Sequence, residues 1–266
     1  MSTAPFARRL AKVVGIDRLG AYRVLRVADE GPRAEPGQFA MLAAVEGWGG
    51  GSEQRPFLPR AFSIARHRDD ETHFLLEDVG PGTRRLCELG NGDGLWVMGP
   101  LGRGFREPGE GRRALLVGGG VGIAPLAILQ DTLGAENTTV LLGFRDAPRT
   151  EGAVLLADAQ VASDDGSVGY HGLVTELLLE ELERDAHALV YACGPAGMLE
   201  GVRAICAERQ VPAQLALEAG MACGFGACFG CVVPRRGGGY LRVCVDGPVI
   251  DGEELDHVDA HAGAPA

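Results

Sequence analysis

The sequence predicts a multidomain chain of β plus α/β class: an antiparallel β-barrel, then a parallel-sheet α/β domain, then a small cysteine-rich C-terminal module. Three observations carry this. Between Ala11 and about Phe105 the apolar or alternating runs are short, separated by Gly, Pro and Asp, with no long helical pattern among them. From Arg112 onward strand-like runs alternate with helical ones. Near the C-terminus four cysteines stand as C-x4-C-x2-C with a fourth after twelve further residues. The divisions fall at 1–106, 107–218 and 219–266.

In the first part the strands are expected at Lys12–Ile16, Tyr22–Ala28, Gln38–Ala44, Ala61–Ala65, Thr72–Asp78 and Leu95–Met98. Six short strands without a long helix suit a closed antiparallel barrel. The stretch Glu46–Pro59, with Gly49-Gly50-Gly51, reads as an irregular loop. Arg60-Ala61-Phe62-Ser63 places residues 60 and 62 on one face of a strand and 61 and 63 on the other. An arginine suits bidentate contact with phosphate, and a serine hydroxyl can donate to a ring nitrogen or carbonyl. Read alone, the four residues are equally a surface arginine and a turn serine. Gly80-Pro81-Gly82-Thr83 precedes an amphipathic turn, Arg84–Leu89. Gly82 or Thr83 at that helix start suits a phosphate, or serves as an ordinary cap. Gly99–Phe105 reads as a hinge between barrel and sheet.

In the second part Ala114–Val117 runs into Gly118-Gly119-Gly120-Val121-Gly122 and a helical stretch from Ile123 to Gly134. Glycines let backbone approach a pyrophosphate, a helix N-terminus supplies N–H groups, and Pro125 fits a first turn. The spacing is not G-x-G-x-x-G, so strand-to-helix packing explains it equally well. Thr138–Gly143 is a strand and Ala153–Leu156 a shorter run. Val174–Leu182 is a helix, Leu189–Cys193 a strand, Gly197–Arg209 a helix and Gln214–Glu218 a strand. A second turn, Cys193-Gly194-Pro195, ends its strand where parallel sheets bind ligands. Cys193 at that tip suits contact with a nicotinamide, or packs as a small hydrophobe.

In the third part Cys223, Cys228, Cys231 and Cys244 have the plant-type [2Fe-2S] spacing. Gly224, Gly226 and Gly230 let N–H groups approach the sulfurs. A zinc site ordinarily shows two C-x2-4-C pairs, whereas only one such pair occurs here. Six histidines lack metal spacing and read as surface or loop residues.

The composition excludes other classes. Lys+Arg number 25 against 36 Asp+Glu, a net charge of −11, with no basic cluster to follow a nucleic-acid backbone. No apolar run reaches membrane-span length, and no secretory signal precedes Leu10. The three further cysteines, Cys87, Cys193 and Cys206, are scattered as in a reducing compartment. A soluble, cytoplasmic protein is expected.

Taken together, R-x-F-S, a later G-x-G-T, the turn with Ile123-Ala124-Pro125 and the C-G-P run to Met198 resemble the ferredoxin–NADP reductase-like superfamily, in that family's order. Within it, the features Gly99–Phe105, Asp164–Gly172, Tyr191–Leu199, Met221–Cys231 and Cys244–Val249 are similar to electron-transfer subunits of two-subunit, NAD-linked dihydroorotate dehydrogenases. That subunit type often reads R-P-[IL]-S where this chain has Arg60-Ala61-Phe62-Ser63. The resemblance implies FAD lined by Arg60, Ala61, Phe62 and Ser63, with Ser63 near the reactive ring, and backbone contacts from Leu75, Leu76 and Glu77. It implies a pyrophosphate at Gly82 and Thr83, and NAD framed by Gly119, Gly120, Gly194, Pro195 and Met198. It also implies a [2Fe-2S] cluster on the four C-terminal cysteines. An FMN-containing catalytic subunit, in a heterotetramer, is the implied partner, with electrons passing through cluster and FAD to NAD+. Another FAD/[2Fe-2S] reductase subunit, of ferredoxin:NADP oxidoreductase or sulfur/sulfite reductase type, shares the architecture. A zinc-stabilised nucleotide-sensing module is the alternative from another class.

Overall fold

A computed structural model describes residues 8–49 and 56–258. The expected barrel strands are all present, three of them (the first, fourth and sixth) extended by a few residues: β1 (Arg9–Leu19), β2 (Tyr22–Ala28), β3 (Phe39–Ala44), β4 (Arg60–Arg68), β5 (Glu71–Glu77), then α1 (Pro81–Cys87) and β6 (Gly94–Leu101). They close antiparallel in the order β1-β2-β5-β4-β3-β6. Alternation puts Leu25, Val27, Leu42, Phe74, Leu76 and Leu95 inside, all essentially inaccessible. Burying each such side chain contributes about 1.5–3 kcal/mol. Gly50 and Gly51 of the glycine-rich loop lie outside the described residues, as does His261. At the rims of that loop the Gly49 N–H donates to the Pro56 carbonyl at 2.9 Å.

The second sheet begins with β7 (Arg113–Gly119), followed by a 3-10 turn over Gly120–Ile123 and α2 (Ala124–Leu133). Then come β8 (Thr138–Phe144), α3 (Ala147–Thr150), β9 (Gln160–Ser163), β10 (Tyr170–His171), α4 (Val174–Arg184), β11 (Ala188–Cys193), α5 (Ala196–Arg209) and β12 (Ala213–Ala216). The strands lie in the order β10-β9-β8-β7-β11-β12 and are mutually parallel. The run Ala153–Leu156 is not a strand: Glu151–Leu155 is a 3-10 turn with Val154 75% exposed, and the strand is β9. A lone apolar tetrapeptide does not distinguish a turn from a strand when its central side chain faces water. His67 and His73 are not loop residues either. They sit half-buried on β4 and β5, where the Ala34 N–H donates to His67 Nε2 at 2.9 Å and His73 lies 3.2 Å from Glu71.

After β12 the chain forms the cysteine loop and a small hairpin, β13 (Val232–Pro234) with β14 (Tyr240–Arg242). It then returns as β15 (Val249–Asp251), which pairs antiparallel with β12 and completes a seven-stranded sheet.

Three contacts lock barrel to sheet. Arg149 Nη2 stands 2.6 Å from Glu77 Oε1. Arg66 holds Asp131 bidentately and donates to the Leu155 carbonyl at 2.8 Å. The Ala21 N–H donates to the Pro148 carbonyl at 3.0 Å. Residues 99–105, expected as a hinge, also hold the third segment. There the Arg103 N–H donates to the Gly247 carbonyl at 2.6 Å, and a Cβ on Gly102 would stand 2.5 Å from Pro248 Cδ.

Candidate functional site: a cleft between three segments

Barrel, sheet and cysteine segment meet at a cavity of about 490 Å³. Arg60, Ala61, Phe62 and Ser63 of β4, Leu75 and Glu77 of β5, and Gly82 and Thr83 of α1 all line it. Leu76 does not: period-two alternation turns its side chain into the barrel core. A Cβ on Gly82 would stand 2.8 Å from Arg60 Nε, so the missing side chain is what lets the guanidinium lie across the start of α1. Cation and helix start thereby converge in one electropositive corner, which suits a pyrophosphate. Thr83 Oγ1 is engaged in the turn itself, accepting the Val79 and Gly80 N–H groups at 2.9 and 3.0 Å. The Ser63 hydroxyl has no intramolecular hydrogen-bond partner among the described residues and is available to a ligand.

Sequence reasoning missed the opposite wall, formed by Leu217, Glu218, Ala219, Gly220, Met221 and Ala222 together with Pro248. Its signal was the position of that run directly after a strand of a parallel sheet, where ligand sites form. Glu218 is exposed on the cleft wall, and the protein packed around its carboxyl makes the charged form harder to solvate and raises its pKa.

The dinucleotide candidates form a second constellation at the tips of β7 and β11. A Cβ on Gly119 would meet Met198 Sδ at 2.5 Å and Pro195 Cδ at 2.9 Å, and one on Gly194 would meet Met198 Cε at 2.6 Å. Gly119, Gly194, Pro195 and Met198 are therefore in mutual contact. Gly120 has φ +54 with open space beyond it. The adjoining Val121 and Ala124 line the cavity, which joins the two constellations. Cys193 lies behind this surface: 1% exposed, packed with Ala216 and Val249, its thiol pushed well up by burial and then by Glu218.

The four C-terminal cysteines fall into two pairs. Cys231 and Cys244 are buried with their sulfurs 3.2 Å apart. Cys223 accepts hydrogen bonds from the backbone of Phe225, Cys228 and Ala227 and from the Cys228 thiol. Burial pushes the Cys223 thiol up, but those bonds outweigh it and bring it down; burial and Cys231 push Cys244 up. Positive φ at Gly224 (+79) and Gly226 (+89) is what turns these N–H groups toward sulfur. Two thiolate pairs in a cradle of N–H donors match the needs of a two-iron cluster, with two thiolates for each iron. Among the described residues no three His, Cys, Asp or Glu side chains gather around a single ion position.

Residues 218–256 match the family described as the iron-sulfur cluster binding domain of dihydroorotate dehydrogenase B. The electron transfer subunit of dihydroorotate dehydrogenase B (NAD(+)) from Caldanaerobacter subterraneus subsp. tengcongensis is 39% identical over 230 residues, covering 85% of this chain and 89% of that protein. The chain belongs to the dihydroorotate dehydrogenase B electron transfer subunit family. A second relative of this family, the probable subunit from Methanopyrus kandleri, is 41% identical over 240 residues, 88% of this chain and 86% of its own. Among solved structures, the NADH-dependent reduced ferredoxin–NADP oxidoreductase of flavin-based electron bifurcation superposes with a TM-score of 0.77 at 26% identity, covering 94% of this chain and 91% of that one. A ferredoxin NADP+ reductase from Neisseria gonorrhoeae, solved with FAD and NADP, shares the fold at TM-score 0.61 and 17% identity over 76% of this chain and 91% of its own. In this family member, then, the apolar cleft with a cationic corner and the paired cysteines occur in one fold.

Proposed function

We propose that this chain is the electron-transfer subunit of an NAD-linked dihydroorotate dehydrogenase, working with an FMN-containing catalytic subunit in pyrimidine biosynthesis. One observation carries the electron path: Met221 and Ala222, which wall the flavin cavity, run directly into Cys223. Arg60 to Ser63, Leu75, Glu77, Gly82 and Thr83 hold FAD; Gly119, Gly120, Gly194, Pro195 and Met198 frame NAD; the four cysteines hold the cluster. Bound there, a [2Fe-2S] centre supplies one-electron transfer, and FAD supplies the exchange between single electrons and the hydride of NADH.

The chain's own residues do the rest. Arg60 and the first turn of α1 anchor the anionic end of the flavin, and the apolar walls exclude water. Ser63 offers a hydroxyl to the ring. Gly119 and Gly194 keep the floor of the nicotinamide side flat, with Cys193 supporting the turn from behind as a small protonated thiol. No residue here is assigned the removal of a proton from dihydroorotate, which falls to the partner. A heterotetramer in the cytoplasm fits the family; among the described residues no helix is long and apolar enough to cross a membrane.

The 26% identical ferredoxin–NADP oxidoreductase neighbour favours a second reading, the same cofactor set serving a different partner. The deciding experiment is anaerobic, dihydroorotate-dependent NAD+ reduction by the chain co-purified with its FMN subunit. Activity that needs both chains supports the first reading. Filled cofactors bleached by NADH, without dihydroorotate activity, support the second.

A further inference from the structure

The guanidinium of Arg242 lies on the cysteine loop. Its Cζ stands 5.4 Å from the centroid of the Phe229 ring, and its Nη1 is 3.4 Å from the position a Cβ on Gly226 would take. The Gly226 backbone in turn hydrogen-bonds to the Cys244 sulfur. Asp246 holds the arginine from the other side: its Oδ2 accepts the Arg242 backbone N–H at 2.8 Å and stands 3.5 Å from Nε. The two side chains are 35% and 27% exposed, so water screens them only in part. A cation and its counter-ion therefore flank Cys244 along the chain, and the cation reaches back over the loop that carries Cys228.

Reducing a thiolate-held cluster by one electron adds one negative charge, with no bond made or broken and no proton required. A cation held over the loop that carries the cysteines favours the reduced form, and a carboxylate on that cation weakens the effect. We infer that Arg242 raises the reduction potential of the cluster and that Asp246 sets how far, so that the pair tunes the acceptance of electrons from the partner. This rests on the cluster reading of the four cysteines, which iron and acid-labile sulfide content of the wild-type chain tests separately.

The test is an anaerobic redox titration of the co-purified complex, with the reduced cluster followed by electron paramagnetic resonance. Arg242→Gln is expected to shift the oxidised-to-reduced equilibrium about tenfold toward oxidised, ~59 mV downward for a one-electron couple. Asp246→Asn is expected to move it upward, with the asparagine oxygen still accepting the Arg242 backbone N–H and so keeping the loop in place. Arg242→Lys is expected between wild type and Arg242→Gln. An unchanged midpoint in Arg242→Gln, or shifts of the same sign in Arg242→Gln and Asp246→Asn, overturns the inference; the latter is what a loosened, wetter loop produces. Should Arg242→Gln fail to hold iron, the signs of Arg242→Lys and Asp246→Asn decide by the same criteria. A wild-type chain without iron and sulfide sinks the cluster reading and this inference together, a result distinct from a filled cluster whose potential ignores Arg242.

Discussion

At the scale of single residues, the four cysteines differ in what their loss should do. Cys228 is exposed on the loop, whereas Cys231 and Cys244 are part of the main core. Cys228→Ser should therefore reduce dihydroorotate-linked NAD+ reduction to background while NADH still bleaches the flavin, which paired steady-state and stopped-flow assays would show. Full coupled activity in that variant would refute the electron path. Glu200 gives a pH-dependent case. The Arg203 side chain and then the Val258 N–H hold its carboxyl below the ordinary value of 4.5, despite partial burial. A carboxylate with a lowered folded pKa stabilises the fold above the unfolded pKa and loses that contribution as pH falls through the folded one. The wild-type advantage in Tm over Glu200→Gln should thus be present at neutral pH and fade on acidification below about 4.5. An advantage independent of pH would mean that shape, not charge, is what Glu200 contributes. Cys193 shows a limit of reading residues in isolation: its place at the end of a strand was legible, but which side of the turn its thiol takes depends on packing by Phe105, Ala216 and Val249.

At the scale of elements, short alternating or apolar runs and Gly/Pro punctuation made the barrel legible, because each strand turns one face into the barrel core, and β3, apolar throughout, is buried on both faces. The α/β part was legible through its turns, where glycine has a steric reason to be present. Gly119→Ala tests that reason: the new methyl would press on Met198 and Pro195. We expect the KM for NADH to rise about tenfold, from ~1–2 kcal/mol of overpacking, with flavin content unchanged. Equal loss of flavin and NADH affinity would show instead that the turn supports the whole cleft. What the sequence did not reveal is the wall from Leu217 to Ala222, because nothing local in an Ala-Gly-Met run says which cavity it faces. The Glu77–Arg149 pair was equally hidden, since its partners are 72 positions apart. Arg149→Gln removes that tie between β5 and α3 and should cost about 1–3 kcal/mol, read as a lower Tm of the holoprotein. Because Glu77 also lines the cleft, FAD should dissociate more readily; unaltered Tm and FAD retention would leave the pair as a surface contact only.

At the scale of the whole molecule, the cleft is built from all three segments, so the site proposed for FAD is not independent of the cysteine segment. Gly224 packs toward Met41 and Leu101 of the barrel, while Met221 and Pro248 face the cavity. Removing one of the buried cysteines proposed to hold the cluster should therefore be felt at the cleft proposed for the flavin. Cys244→Ser is expected to lower FAD content per chain along with iron, whereas Cys228→Ser leaves FAD in place; identical FAD content in both variants would argue that the cysteine segment is only loosely joined to the cleft. This interdependence has a counterpart in β15. That strand follows the last cysteine yet belongs to the large sheet, covering the outer edge of β12 at Gln214, Leu215 and Ala216. A chain cut after Cys244 would bare that sheet edge, a standing invitation to aggregate. Any transplant of this segment into another protein must therefore carry the edge-sealing strand with it, so the portable unit extends through Asp251 and does not stop at the fourth cysteine.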